Sequence, residues 1–210
     1  MENEPRKLKA GKLNQSKASK RGYRLVIGVD EAGRGPLAGP VVAAAVNLKT
    51  NRFKNRIDDS KKLTSRARER AFFEIIHKSK FGIGIVNELV IDRINIYQAT
   101  RLAMEQAIAM LAKKLEPHAL KRTHVLVDGI MKLNTSLPYI SIIRGDSKYK
   151  SIAAASILAK VIRDRIMSLY DRIYPQYGFL KHKGYSTSMH RAALKKFGPS
   201  LIHRKSFSCV

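Results

Sequence analysis

The sequence lacks tryptophan and carries a single cysteine, Cys209, so no disulfide can form within the chain. One thiol fits a reducing compartment, and the cytoplasm is the expected location. No apolar run approaches the roughly 18 residues of a membrane span. The opening residues, MENEPRKLKAGKLNQSKASKRGYR, have no apolar core of the kind a secretory signal needs. Glu2, Glu4 and the lack of an amphipathic pattern also argue against an organelle transit peptide. The scarcest commodity is negative charge. Sixteen Asp and Glu face forty-one Lys and Arg, a formal net charge of +25. From Arg172 to Val210 there is no acid at all.

A surface so poor in acids attracts polyanions by releasing their counterions, and nucleic acid is the expected partner. A basic protein that only binds nucleic acid would need no carefully placed carboxylates, so the positions of the few acids separate an enzyme from a noncatalytic binder. With 210 residues and 44% hydrophobic side chains, the chain is long enough for one domain of ordinary size. Residues 1–22 read as a basic, flexible arm, and 23–210 as the folded domain.

Within the domain, YRLVIGVD, PVVAAAVNL, FGIGIVN (81–87), THVLVDG (123–129) and YISII (139–143) read as strands. LTSRARERAFFEIIHKS reads as a helix. So does INIYQATRLAMEQAIAMLAKKL, with Ile96, Ala99, Leu102, Ala103, Ala107, Met110 and Leu111 at helical spacing and Pro117 beyond it. SIAAASILAKVIRDRIMSLYDRI (151–173) is a long helix rich in small residues, and a shorter one falls near Ser188–Phe197. Three early strands followed by alternating helices and strands predict an α/β fold, a mixed sheet flanked by helices. A helical extension follows at the C-terminal end.

Four acids stand where β-rich runs end. Asp30 and Glu31 close the first strand in GVDEAGRGPLAGP, Asp128 closes THVLVD, and Asp146 follows YISII in RGDS. Taken singly, each also fits a turn or a helix cap. Taken together, they allow three strand ends to converge on one edge of one sheet. Clustered carboxylates repel, and a hard cation relieves that cost. Two Mg²⁺ ions can activate water and steady the leaving oxygen in phosphodiester cleavage. On this reading the bases hold a polyanion and the acids hold the metals that cut it. GRGPLAG lacks the Lys-Ser/Thr ending of a P-loop and leads into a strand, which argues against a dinucleotide fingerprint. Zinc spacing is missing, because Cys209 is the only cysteine. His182, His190 and His203 fall in the basic tail, where phosphate-facing or surface roles are expected. Asp164, in VIRDR, either supports the acids or pairs with Lys160 or Arg163 on a helix face.

VIGVDEAGRGPLAGPVVAAAV resembles the signature of the type 2 ribonucleases H, specifically bacterial ribonuclease HII. The likeness continues through DSKKL (59–63), IDRINIYQATRLAM (91–104), VLVDG, GDSKYKSIAAASILAKVIRDR (145–165), HKGYSTSMH (182–190) and HRKSF (203–207). It covers residues 23–207. The resemblance implies a ribonuclease H-like fold and a C-terminal substrate-binding helical region. It also implies cleavage of the RNA strand in RNA–DNA hybrids, and nicking of duplex DNA at embedded ribonucleotides, in ribonucleotide excision repair and DNA replication. The ends would be a 5′-phosphate and a 3′-hydroxyl. Carried over by motif, Asp30, Glu31, Asp128 and Asp146 are the catalytic, metal-binding acids, served by Mg²⁺ or Mn²⁺. Gly33, Arg34 and Gly35 would read the ribonucleotide beside the cut, where the 2′-hydroxyl distinguishes RNA. Tyr185 would pack at the same junction; without its motif it would read as an ordinary tyrosine. The sister ribonucleases HIII carry an extra N-terminal domain and lack the arginine, whereas only a short arm precedes Tyr23 here and Arg34 is present. Ser186 stands where the motif often has glycine. A monomer without a membrane partner is expected.

Overall fold

A computed structural model describes residues 25–208 and 210. The proposed arm at 1–22 and Cys209 lie outside the described residues. Among the described residues, five strands form one mixed sheet: β1 (Leu25–Ala32), β2 (Val41–Leu48), β3 (Ser79–Val86), β4 (Thr123–Asp128) and β5 (Tyr139–Ile142), in the order β3-β2-β1-β4-β5. β2 runs antiparallel to both β1 and β3, while β1, β4 and β5 run parallel to one another. Three longer helices pack against it, α1 (Ser65–Lys78), α2 (Glu88–Ala112) and α3 (Lys150–Ile173), and a further helix, α4 (Ser188–Phe197), lies in the C-terminal extension. Single helical turns occur at Pro117–Leu120 and Phe179–His182. The expected mixed sheet and flanking helices are therefore present.

Alternation along the strands decides which layer each side chain joins. Ile27 and Val29 of β1 join Val41, Ala43 and Ala45 in the layer under α2. Val42, Ala44 and Val46 face the opposite layer, with α1 and α3. On α2, Ala99, Ala103, Ala107 and Leu111 form the buried stripe expected from their spacing, but Met110 is exposed. The small residues let the helix sit directly on β3. A methyl group at Gly82 or Gly84 would meet backbone atoms of Ala107 or Ala103 at 2.1 and 1.9 Å.

Several boundaries differ from the sequence reading, and two of them have a clear physical reason. α2 begins at Glu88, six residues before the expected start, because the Asn87 side chain accepts from Val90 N–H and caps it. It is also two helical pieces joined at Asn95, whose φ of 65° breaks the helix and whose side chain caps the second piece at Gln98 N–H. β1 runs two residues past Asp30, where the expected strand ended, to Ala32, because Asp30 and Glu31 still pair with Ala44 and Ala43 of β2.

The C-terminal extension is built around histidines, contrary to the phosphate-facing or surface roles expected for them. His182, His190 and His203 are all buried. Their hydrogen bonds define the neutral tautomers. Ser200 N–H donates to His203 Nδ1 at 2.8 Å, so His203 carries its proton on Nε2 and faces His190 Nε2 at 2.9 Å. His190 therefore carries its proton on Nδ1 and donates to the Tyr185 carbonyl at 3.0 Å. His182 accepts from Gly184 N–H and donates to the Tyr177 carbonyl. Burial pushes His190 below the usual histidine range, and burial with the neighbouring His190 pushes His203 down to about 4. These rings pack with Tyr177, Phe179 and Met167 against the end of α3.

Candidate active site

Strand register brings the acids together. The last β1–β4 pair is Val29 with Val127, so Asp30 and Asp128 are the next residue on each of two adjacent parallel strands. β5 lies on the other side of β4, pairing Ile142 with Asp128, and the chain leaves β5 into a single turn, Gly145–Ser147, that carries Asp146. One carboxylate oxygen from each of Asp30, Asp128 and Asp146 lies within 4.8 Å of the others. This is the edge beyond the carboxyl ends of the parallel strands, where sites of open α/β sheets gather.

Close backbone packing makes the convergence possible. Gly28 faces the same side as Asp30 and touches the start of α3: a methyl there would lie 2.2 Å from the Ser151 carbonyl carbon. Gly145 donates its N–H to Asp128 Oδ1 at 2.5 Å. A methyl at Gly145 would lie 3.2 Å from that oxygen and 2.5 Å from Ile152 Cδ1. Asp30 and Asp146 each accept from the following backbone N–H, at 2.7 and 2.8 Å. Ser156 of α3 also hydrogen-bonds Asp30, and its hydroxyl meets Ser60 at 2.8 Å.

Burial, then Glu31 and Asp128, drives the Asp30 carboxyl well above the usual carboxylate range. Burial, Asp128 and Asp59 raise Asp146. Glu31 is raised chiefly by burial. It stands beside the trio and not within it, 3.4 Å from Arg34 Nη1. Thus three of the four acids chosen from sequence form the tight cluster, with Glu31 adjoining. Buried, mutually repelling oxygen donors are the set a hard divalent cation satisfies. Lys61 of DSKKL was missed as a neighbour of this cluster. Burial opposes its charge, but Asp59, Asp30, Asp146 and Asp128 together hold its ammonium above the usual lysine range. Asp164 takes the other of its two expected roles, pairing with Lys160 at 2.7 Å.

The turn after the acids divides into an inner and an outer part. Gly33 is buried at φ +100°, and a methyl there would lie 2.1 Å from Arg163 Nε, so its bareness serves internal packing. Arg34 and Gly35 are exposed. Gly35 faces Tyr185, whose Cε1 would be 4.0 Å from a methyl on that glycine. Tyr185 is 43% exposed. Lys160 Nζ lies 5.7 Å and the Arg163 guanidinium 5.9 Å from its ring centroid. Arg34, Gly35 and Tyr185 thus share one surface next to the carboxylates.

A mixed sheet with an acid cluster beyond its parallel strand ends defines the ribonuclease H-like class of folds. Solved structures bear this out. Ribonuclease H2 from Pyrococcus horikoshii superposes with a TM-score of 0.68 at 26% identity, covering 88% of this chain and 94% of that one. Bst-RNase HIII, solved in complex with Mn²⁺, shares the fold at a TM-score of 0.72 and 18% identity, covering 91% and 70%. The sequence model of the Ribonuclease HII family matches residues 27–210. A ribonuclease HII of Pseudothermotoga lettingae is 52% identical over 191 residues, spanning 91% of this chain and 80% of that protein. One of Geobacter sulfurreducens is 49% identical over 198 residues, spanning 93% and 88%. The chain belongs to the ribonuclease HII family, metal-dependent hydrolases that cleave the RNA of RNA–DNA hybrids.

Proposed function

We propose that Asp30, Glu31, Asp128 and Asp146 are the catalytic and metal-binding residues of this ribonuclease, and that Gly33, Arg34, Gly35 and Tyr185 select the ribonucleotide. The observation that carries this reading is the meeting of Asp30, Asp128 and Asp146 oxygens within 4.8 Å at the ends of adjacent parallel strands. The substrates are RNA–DNA hybrids and duplex DNA with embedded ribonucleotides, cut to leave a 5′-phosphate and a 3′-hydroxyl. The protein would serve ribonucleotide excision repair and DNA replication in the cytoplasm, as a monomer.

The residues divide the work. Asp30, Asp128 and Asp146, with Glu31 adjoining, would hold Mg²⁺ or Mn²⁺. When bound, such ions polarise the phosphate and supply a nucleophilic water at neutral pH. The backbone bonds from Glu31, Gly145 and Ser147 hold the carboxylates in fixed orientations. Arg34, paired to Glu31, ties the turn to the acids. Gly35 faces the Tyr185 ring, and between them a sugar would be tested for its 2′-hydroxyl. The exposed bases of the acid-free segment after Asp171 neutralise backbone phosphates.

The test is a DNA duplex carrying one ribonucleotide, incubated with the protein and Mg²⁺, with and without a chelator. A nick at the ribonucleotide that the chelator abolishes is expected. A protein that binds this duplex and leaves it intact in Mg²⁺ and in Mn²⁺ contradicts the assignment.

A further inference from the structure

Two fully buried arginines aim into the turn that carries Gly33, Arg34 and Gly35. Arg204, in HRKSF, spends its whole guanidinium there. Nε donates to the Gly39 carbonyl at 2.9 Å. Nη1 donates to the Arg34 and Pro36 carbonyls at 2.9 and 2.8 Å. Nη2 donates to those of Gly33 and Gly39 at 2.6 and 2.7 Å. Arg163 of α3 adds bonds to the Pro40 and Ala38 carbonyls, at 2.9 and 3.0 Å, and reaches the Lys183 carbonyl at 3.0 Å. The hydrogen-bond partners of both guanidinium groups are backbone carbonyls. Burying a cation against neutral acceptors is costly, so the arrangement is better suited to setting geometry than to adding stability. A planar fork of five donors can fix several carbonyls at once.

Carbonyl direction controls what the turn offers outside. Across a trans peptide, C=O and the following N–H point opposite ways. Drawing the Gly33 and Arg34 carbonyls inward to Arg204 therefore turns the Arg34 and Gly35 N–H groups outward, at two exposed residues beside the carboxylates. Successive outward N–H groups form a cradle for an anionic or hydroxyl oxygen. Arg204 is itself held from two sides. Its N–H donates to the Leu37 carbonyl at 2.8 Å. The Asp92 carboxylate of α2 accepts from Lys205 N–H, Ser206 N–H and the Ser206 hydroxyl at 3.0, 3.0 and 2.6 Å.

We infer that Arg204 is a positioning residue for ribonucleotide recognition: from the C-terminal segment, it sets the backbone direction of the Gly33–Gly35 turn so that the turn's amides face the substrate. This rests on the reading that the turn selects the ribonucleotide. A long hybrid presents a 2′-hydroxyl in every register, so a loosened turn still finds a productive one. A single ribonucleotide presents only one register. Loosening the turn therefore lowers the ratio of cleavage at a single ribonucleotide to cleavage of a continuous hybrid. Partial unfolding would scale both rates alike and leave the ratio unchanged.

The test measures that ratio for the wild type, Arg204→Lys, Asp92→Ala and Gly35→Ala. Lysine keeps the charge but cannot reach four carbonyls, and the expected fall is on the order of 10- to 100-fold, the scale of an ångström misplacement. Asp92→Ala releases the segment that carries Arg204 and gives a smaller fall, which keeps the test decisive if Arg204→Lys does not fold. Gly35→Ala probes the turn itself, since its methyl reaches Tyr185 without displacing the fold. A lowered ratio in Gly35→Ala with an unchanged one in Arg204→Lys, or in Asp92→Ala should the former not fold, overturns the positioning role while sparing the turn's reading role. An unchanged ratio and rate in Gly35→Ala removes the reading role, and the inference with it.

Discussion

Gly28 carries more of the site's geometry than its place in a strand suggests. A methyl at this position would sit 2.2, 2.3 and 2.4 Å from backbone atoms of Ser151 and Ile152, which cannot rotate away as a side chain could. Gly28→Ala must push α3 off the sheet, and with it the Ser156 hydroxyl that reaches Asp30. The expected cost is about 3 kcal/mol or more, at the upper end of overpacking, read as a lowered denaturation midpoint. A midpoint within error of the wild type would show that the strand and helix are not in direct contact. The acids at 30, 31, 128 and 146 were legible because each follows a β-rich run in apolar or basic text of an acid-poor chain. Gly28 was not legible: its neighbour is a helix more than a hundred positions away, and no local pattern announces that contact. Arg163 and Arg204 were hidden for the same reason. In a chain with forty-one Lys and Arg, two buried ones look like all the rest.

Among the elements, strands were easier to read than helix starts. Each strand is a short β-rich run bounded by glycine, proline or an acid. α2 hid its first turns because they depend on a side-chain cap from Asn87 and a break at Asn95, neither of which alters hydrophobic spacing. The C-terminal segment was misread more deeply, because a histidine in basic text resembles a phosphate ligand until its burial is known. Its chain of neutral histidines predicts a pH response. Unfolded histidine titrates near 6.5, while folded His203 is held at about 4. Between these values the unfolded state binds the extra proton, so the segment is fully stable above about pH 6.5 and loses stability as pH falls toward 4. Asp30, Glu31 and Asp146 are raised and act in the opposite sense, gaining stability as pH falls. The response must therefore be read locally, as amide exchange over 185–204. Faster exchange at pH 4.5 than at pH 7, after correction for intrinsic rates, is expected. Equal protection at both values would mean that His190 and His203 are not held neutral.

For the molecule as a whole, a net charge of +25 and a buried carboxylate cluster are complementary features. The charge draws a polyanion to the surface, and the cluster creates one small region where only cations are welcome. The class of chemistry was legible from that contrast, and the family from the motifs. The way β1, β4 and β5 lie side by side was not, since the strand order β3-β2-β1-β4-β5 is set by packing between distant segments. The central claim is that cleavage depends on the carboxylates at those strand ends. Its most direct test is the rate of nicking by Asp128→Asn at a single ribonucleotide in Mg²⁺, beside wild-type protein of equal folded fraction. Asparagine keeps the size and can still accept from Gly145 N–H, but it removes the charge. A loss on the order of 10²–10³-fold or greater is predicted, the scale of losing a preorganised electrostatic contact in a reacting site. Cleavage by Asp128→Asn at the wild-type rate would contradict the account.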